Sequence, residues 1–145
     1  MEILSNSVSE TEKIGKKLAS KLKGNEIIAL YGDLGVGKTA ITRGIADYFG
    51  VKNEVSSPTF SIVNEYTGGK FNIYHFDMYR ISTFEDLEST GFFDYIDNGV
   101  LIIEWSENIE KYLPLNIIKI GIKKLKLEDN NNENKRLITI KGADF

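Results

Sequence analysis

Cysteine is absent from the 145 residues, which removes disulfides, thiolate metal sites and a cysteine nucleophile from consideration. Arginine is scarce: Arg43, Arg80 and Arg136 are the whole supply. With a net charge of −3, the chain has no large basic surface for holding nucleic acid unaided. No run approaches the ~20 apolar residues of a membrane span. The opening stretch MEILSNSVSETEK also lacks the apolar segment of a secretory leader, so the expected compartment is the cytoplasm. A length of 145 residues with 41% hydrophobic residues fits one soluble domain, 1–145, with a real core and no room for a second folded unit.

What the chain does have is concentrated in IIALYGDLGVGKTAITR, residues 27–43. Ile27, Ile28, Ala29, Leu30 and Tyr31 read as a short buried strand. Gly32, Asp33, Leu34, Gly35, Val36, Gly37, Lys38 and Thr39 then fit G-x-x-x-x-G-K-[ST] without a gap. The chemistry needs that spacing. Gly32 lets the chain turn out of the strand, and Gly37 keeps a side chain out of the way, so that successive N–H groups converge on a β-phosphate at a helix N-terminus. Lys38 reaches the β- and γ-phosphates, the Thr39 hydroxyl can take one Mg²⁺ position, and Ala40 follows in the first helical turn. A chance match need not stand between an apolar run and an amphipathic helix, as this one does.

Along the rest of the chain, Ser9 and Glu12 make an S-x-x-E box ahead of Ile14, Leu18, Ala19 and Leu22, a helix that Gly24 stops. A second helix starts at Lys38, turns Ile41, Ile45, Ala46 and Phe49 to the sheet and closes at Gly50. Residues 55–60, VSSPTF, form a hydroxyl-rich turn before a strand over 61–66. Thr67 to Lys70 is a hairpin turn, and the return strand over 71–76 runs into Asp77. Ser82 to Glu85 is another capping box, opening a short helix ended by Gly91. Val100 to Ile103 is an unbroken apolar run that suits a central parallel strand, and it terminates in Glu104 and Trp105. A short helix over 106–112 stops before Pro114. Ile118, Ile120 and Ile122 alternate with Lys119, Gly121 and Lys123 as a half-exposed strand, with 137–140 as its antiparallel mate, and the polar stretch 129–134 reads as a mobile loop tip.

This pattern predicts an α/β fold: a three-layer P-loop NTPase architecture with a mostly parallel central sheet and a C-terminal antiparallel hairpin. Ligands of such sheets sit outside the carboxyl ends of the strands. Two strands end there in an acid, at Asp77 and Glu104. Four apolar residues followed by an acid is the Walker B pattern, so Glu104 is the better metal candidate. Glutamate here replaces the usual aspartate and reaches further, and Asp77 would then orient water or hold a metal-bound water. Either acid can instead cap a neighbouring loop. Thr59 stands where a switch hydroxyl would approach a γ-phosphate, or it belongs to a plain Ser-Pro turn. His75, the one histidine, reads as a packed, hydrogen-bonded residue rather than a base. Trp105 is either core or contact surface. The lysines at 119, 123, 124 and 126 read as the solvated face of a late strand.

Taken together, GDLGVGKT (32–39), SSPTF (56–60), YHFDMYR (74–80) and IIEW (102–105) resemble the bacterial TsaE family, formerly called YjeE, from the first helix to about Pro114. The resemblance implies an ATPase that acts with the TsaB–TsaD pair in making threonylcarbamoyladenosine beside the anticodon of ANN-decoding tRNAs. tRNA would then be met through the complex, not directly. It also implies that Asp33 to Lys38 hold ATP, Thr39 and Glu104 hold Mg²⁺, Thr59 and Asp77 serve hydrolysis, and Val8 and Ser9 border adenine. Met78 and Ser106 depart from the usual Leu and Pro, away from the proposed chemistry. Two rivals come from other classes. A small-molecule kinase would need an arginine-bearing lid, which three scattered arginines make poorly. A nucleotide-gated binding module with incidental turnover would use the same residues. No N-K-x-D motif for guanine occurs.

Overall fold

The computed structural model describes residues 1–33, 36–51, 54–56, 58, 62–125 and 134–145. Leu34, Gly35, Ser57, Thr59, Phe60, Ser61 and Lys126, and 129–133 of the expected loop tip, lie outside the described residues.

The chain runs β1 (Glu2–Ser5), α1 (Val8–Ala19), β2 (Ile27–Tyr31), α2 (Lys38–Phe49), β3 (Val63–Tyr66), β4 (Ile73–Asp77), α3 (Phe84–Ser89), α4 (Phe92–Tyr95), β5 (Val100–Glu104), β6 (Ile118–Lys124) and β7 (Arg136–Lys141). The strands form one sheet in the order β1-β7-β6-β2-β5-β4-β3. Its centre, β6-β2-β5-β4, is parallel, while β3 on one side and β7 and β1 on the other pair antiparallel. The expected α/β fold with a parallel centre and a C-terminal hairpin is what the structure has.

Alternation along the strands splits the core in two, because successive side chains point to opposite faces. Ile28, Leu30, Val100, Ile102, Ile118 and Ile120 pack under α1 and α2. Ile27, Ala29, Leu101 and Ile103 pack with Phe76, Leu87 and Phe92 on the face of α3 and α4. On β4 and β5 the same parity puts His75, Asp77 and Glu104 on the α2 face. α1 lies so close to α2 that a Cβ on Gly15 would fall 2.5 Å from the Ile41 carbonyl oxygen, and one on Gly44 would collide with that of Glu12. Two mid-helix glycines are kept despite their intrinsic helix penalty because only they allow this approach. An ion pair from Arg43 Nη1 to Glu12 Oε1 at 2.9 Å flanks the crossing.

Several boundaries differ from the expectations. The N-cap of α1 is Ser7, whose hydroxyl accepts the Glu10 N–H at 3.0 Å, and Glu10 Oε2 accepts the Asn6 N–H; the box is thus shifted two residues from Ser9 and Glu12. α1 ends at Ala19 with Ser20 as its C-cap, well before Gly24, and Leu22 is buried from the turn beyond. The second box is shifted by one: Thr83 caps α3 by accepting the Asp86 N–H, and Asp86 receives both the N–H and the hydroxyl of Ser82. The expected helix over 106–112 is two 3₁₀ turns, Ser106–Asn108 and Glu110–Tyr112. The strand β1 was not expected, since four edge residues of which only the polar Ser5 is buried show little apolar periodicity; its pairing with β7 creates it.

Candidate nucleotide site at the strand tips

α2 begins at Lys38, as its motif predicts, with Gly37 in the N-cap position at φ 119° and ψ 15°. A Cβ there would meet nothing nearer than Thr11 Cγ2 at 3.8 Å. Within the protein, what glycine supplies is therefore the left-handed backbone rather than space. Thr39 and Ala40 are the second and third residues of α2, Gly32 and Asp33 are exposed at the strand exit, and Val36 is buried. Arg136 on β7 reaches back to this loop, its Nε donating to the Val36 carbonyl at 2.9 Å. No local signal marks Arg136, because 100 positions separate the two residues and only the strand order unites them.

The two acids arrive side by side: Asp77 and Glu104 are register partners at the last paired position of the parallel strands β4 and β5. Main-chain bonds latch this corner. The Met78 N–H donates to the Glu104 carbonyl at 3.0 Å and the Asp77 N–H to that of Ile62 at 2.9 Å. Asn108 Nδ2 donates to the Met78 carbonyl, and the Ser106 hydroxyl to that of Leu30.

Their surroundings differ. Asp77 Oδ1 accepts the Tyr79 N–H at 2.9 Å, a cap on the turn that follows. Glu104 is 6% exposed and stands between two cationic or polar groups. Its Oε1 lies 3.8 Å from Lys38 Nζ, itself 6% exposed, and its Oε2 lies 2.7 Å from His75 Nε2. His75 is fully buried, and its other nitrogen meets the Tyr66 hydroxyl at 3.0 Å. The expectation of a packed, hydrogen-bonded histidine holds. Tyr66 was not anticipated; burial foremost, with the Glu104 charge as a lesser cause, raises its phenol above the usual value and keeps it neutral.

Trp105 has φ 58° and ψ 38°, a left-handed backbone that an L-residue adopts at a cost of about 1–2 kcal/mol. The bend at the end of β5 sets the indole within 5.6 Å of Lys38 Nζ, in cation–π range, and edge-on to Tyr79. It also packs against the α3 and α4 core, so core and site share this residue.

Beside the loop, a cleft of about 900 Å³ is lined by Gly32, Asp33 and Val36 on one wall and Ile122, Lys123 and Lys124 on the other. A hollow of about 60 Å³ on the α1 side is lined by Ser7, Val8, Thr11, Gly37, Ala40 and Arg136, among others. Val8 thus borders the phosphate loop, whereas Ser9 is not in that lining. Among the described residues, no group of three His, Cys, Asp or Glu side chains is placed to hold a metal by itself. Such a cage is not what Mg²⁺ requires, since it keeps waters and takes one or two protein oxygens with the phosphates. The oxygen donors of Thr39 and Glu104 fit that habit. Among the described residues, no helix is long and apolar enough to cross a membrane.

The family description "Threonylcarbamoyl adenosine biosynthesis protein TsaE" matches residues 5–137. A protein named tRNA threonylcarbamoyladenosine biosynthesis protein TsaE from Rickettsia typhi is 43% identical over 97% of this chain and 94% of its own length. One of the same name from Bacillus subtilis is 40% identical over 79% of this chain and 72% of its own. The crystal structure of Bacillus subtilis YdiB superposes with a TM-score of 0.75 at 32% identity, covering 97% of this chain and 83% of that one. A phosphate loop feeding α2, two acids in register at neighbouring strand tips and these likenesses along nearly its whole length agree, and the chain belongs to the TsaE family.

Proposed function

We propose that this chain binds ATP with Mg²⁺ and hydrolyses it in the service of threonylcarbamoyladenosine formation on tRNA, in company with a TsaB–TsaD pair. The observation that carries the reading is the burial of Lys38 and Glu104 against each other at 3.8 Å, with Asp77 in register beside Glu104.

The segment Asp33 to Ala40 would receive the phosphates on its backbone N–H groups, and Lys38 would turn from Glu104 to the β- and γ-oxygens. Thr39 and Glu104 would hold Mg²⁺ from the protein side, Glu104 directly or through a water. When bound, the ion offsets charge on the phosphates as the bond to the leaving group breaks. Asp77 would orient the attacking water, with its Oδ1 fixed by Tyr79. Thr59, outside the described residues, keeps its proposed place near the γ-phosphate. Arg43 is engaged by Glu12 and Arg136 by Val36, which leaves Arg80 alone for a kinase lid that would need several guanidiniums. Slow turnover by the chain alone, raised by its partners, is the expected behaviour.

The test is the ATPase rate of the purified chain with and without TsaB–TsaD and tRNA. A rate that partners raise at least about tenfold, equivalent to 1.4 kcal/mol of barrier, supports the reading. Transfer of a labelled γ-phosphate to a nucleoside or sugar would replace it with the kinase.

A further inference from the structure

Glu104 does not stand alone: a buried series runs from its carboxylate through His75 and Tyr66 to the backbone of Ser56. The distances are 2.7 Å from Glu104 Oε2 to His75 Nε2, 3.0 Å from His75 Nδ1 to the Tyr66 hydroxyl, and 2.8 Å from that hydroxyl to the Ser56 carbonyl. The Ser56 N–H also donates to the Tyr66 oxygen at 3.3 Å. Exposure is 0% for His75 and 2% for Tyr66, so water does not compete for these bonds. An ionised carboxylate only accepts, which makes Nε2 the donor to Glu104, and the Tyr66 hydroxyl donates to the Ser56 carbonyl.

A glutamate has one more rotatable bond than the aspartate usual at this place, and next to Lys38 it could settle in more than one way. An imidazole engaged at both nitrogens and buried in a sheet cannot follow such motion. It fixes Oε2 and leaves Oε1 facing Lys38. We propose that His75 is a positioning residue for Glu104, and that Tyr66 extends this hold to the Ser56 backbone, joining the metal-side carboxylate to the chain that follows α2. The metal side of the proposal rests on the assignment of Glu104 made above; the link to Ser56 does not.

Trp105, the one tryptophan, lies beside Lys38 and reports the site by fluorescence. ADP-bound protein is titrated with Mg²⁺ for the native chain, His75→Leu, His75→Gln, Tyr66→Phe and Glu104→Gln. The expected result is a midpoint about tenfold higher in His75→Leu, the scale on which partners of metal ligands act. His75→Gln, which keeps an Nε2 donor, should return to within about threefold of native. ADP affinity without Mg²⁺ should stay within about twofold in all, because the phosphate loop is untouched. In nucleotide-free protein, exchange of the Ser56 amide should accelerate in both His75→Leu and Tyr66→Phe, the latter removing a single hydroxyl and preserving shape. Equal midpoints for His75→Leu and the native chain, or no rescue by glutamine, would overturn the positioning role. Unchanged Ser56 exchange in His75→Leu would overturn the link. An unmoved midpoint in Glu104→Gln would overturn the metal assignment instead, and Ser56 exchange would then judge the link by itself.

Discussion

Two ion pairs of this molecule invite comparison, because distance ranks them one way and physics the other. Lys119 and Glu110 meet at 2.7 Å on the surface, both more than 40% exposed. Lys38 and Glu104 stand 3.8 Å apart with 6% and 8% of their side chains exposed. The short pair is solvated and worth about 0–1 kcal/mol. The long pair is costly to bury, and replacing such pairs by apolar residues is often neutral or stabilising. Stability is therefore a weak reason for the long pair to exist. Its looseness suits the roles proposed above, Lys38 toward a phosphate and Glu104 toward a cation, while His75 Nε2 stays 2.7 Å from the other carboxylate oxygen.

Breaking the buried pair from the lysine side should have the largest effect. Lys38→Ala is expected to weaken fluorescent ADP binding by about 100-fold, the loss of one or two charge-assisted hydrogen bonds of about 1.5–3 kcal/mol each. From the acid side, Glu104→Gln or Asp77→Asn should lower steady-state ATPase by about 100-fold, the scale of losing one group that stabilises developing charge. Nucleotide binding without Mg²⁺ should stay within about twofold, since the phosphate loop is intact. Retained hydrolysis in both would remove the catalytic assignment and leave the fold. Arg136→Ala, which frees the Val36 carbonyl, should weaken nucleotide binding by about five- to tenfold, one hydrogen bond to a charged group; equilibrium titration measures it.

The surface pair supplies the smallest effect. The bond from Lys119, then that from Tyr31, holds the Glu110 carboxyl below its usual value. A folded value below the unfolded one means the stabilisation is present above about pH 4.3. It fades as pH falls through the depressed folded value. Lys119→Ala should move the Glu110 titration, followed by carboxyl NMR shifts, upward toward its ordinary range with ATPase unchanged. A comparable loss of ATPase would undo the contrast between the pairs.

The contrast also marks what could be read before the fold was known. The strand, the phosphate loop, the start of α2 at Lys38 and the acids closing β4 and β5 were legible, because each is written in contiguous residues. The helix caps were read one or two positions off, since several Ser, Thr, Asp and Glu neighbours offer competing boxes and packing of the helix selects among them. Edge strand β1 and the 3₁₀ turns over 106–112 left no periodic trace. Tyr66 and Arg136 escaped notice for one reason: their partners lie 10 and 100 positions away, at Ser56 and at Val36.

By itself the sequence determined which groups are available: a loop of the phosphate-binding pattern, oxygen donors of the kind a hard cation takes, no thiols and few guanidiniums. Local spacing decides such matters, since backbone turns and strand alternation need only near neighbours. The tertiary structure decided which acid is buried against Lys38, that the one imidazole meets that acid, and which arginine bonds the loop at Val36. Those depend on strand order and register, through which β4 and β5 align Asp77 with Glu104 and β7 carries Arg136 to Val36.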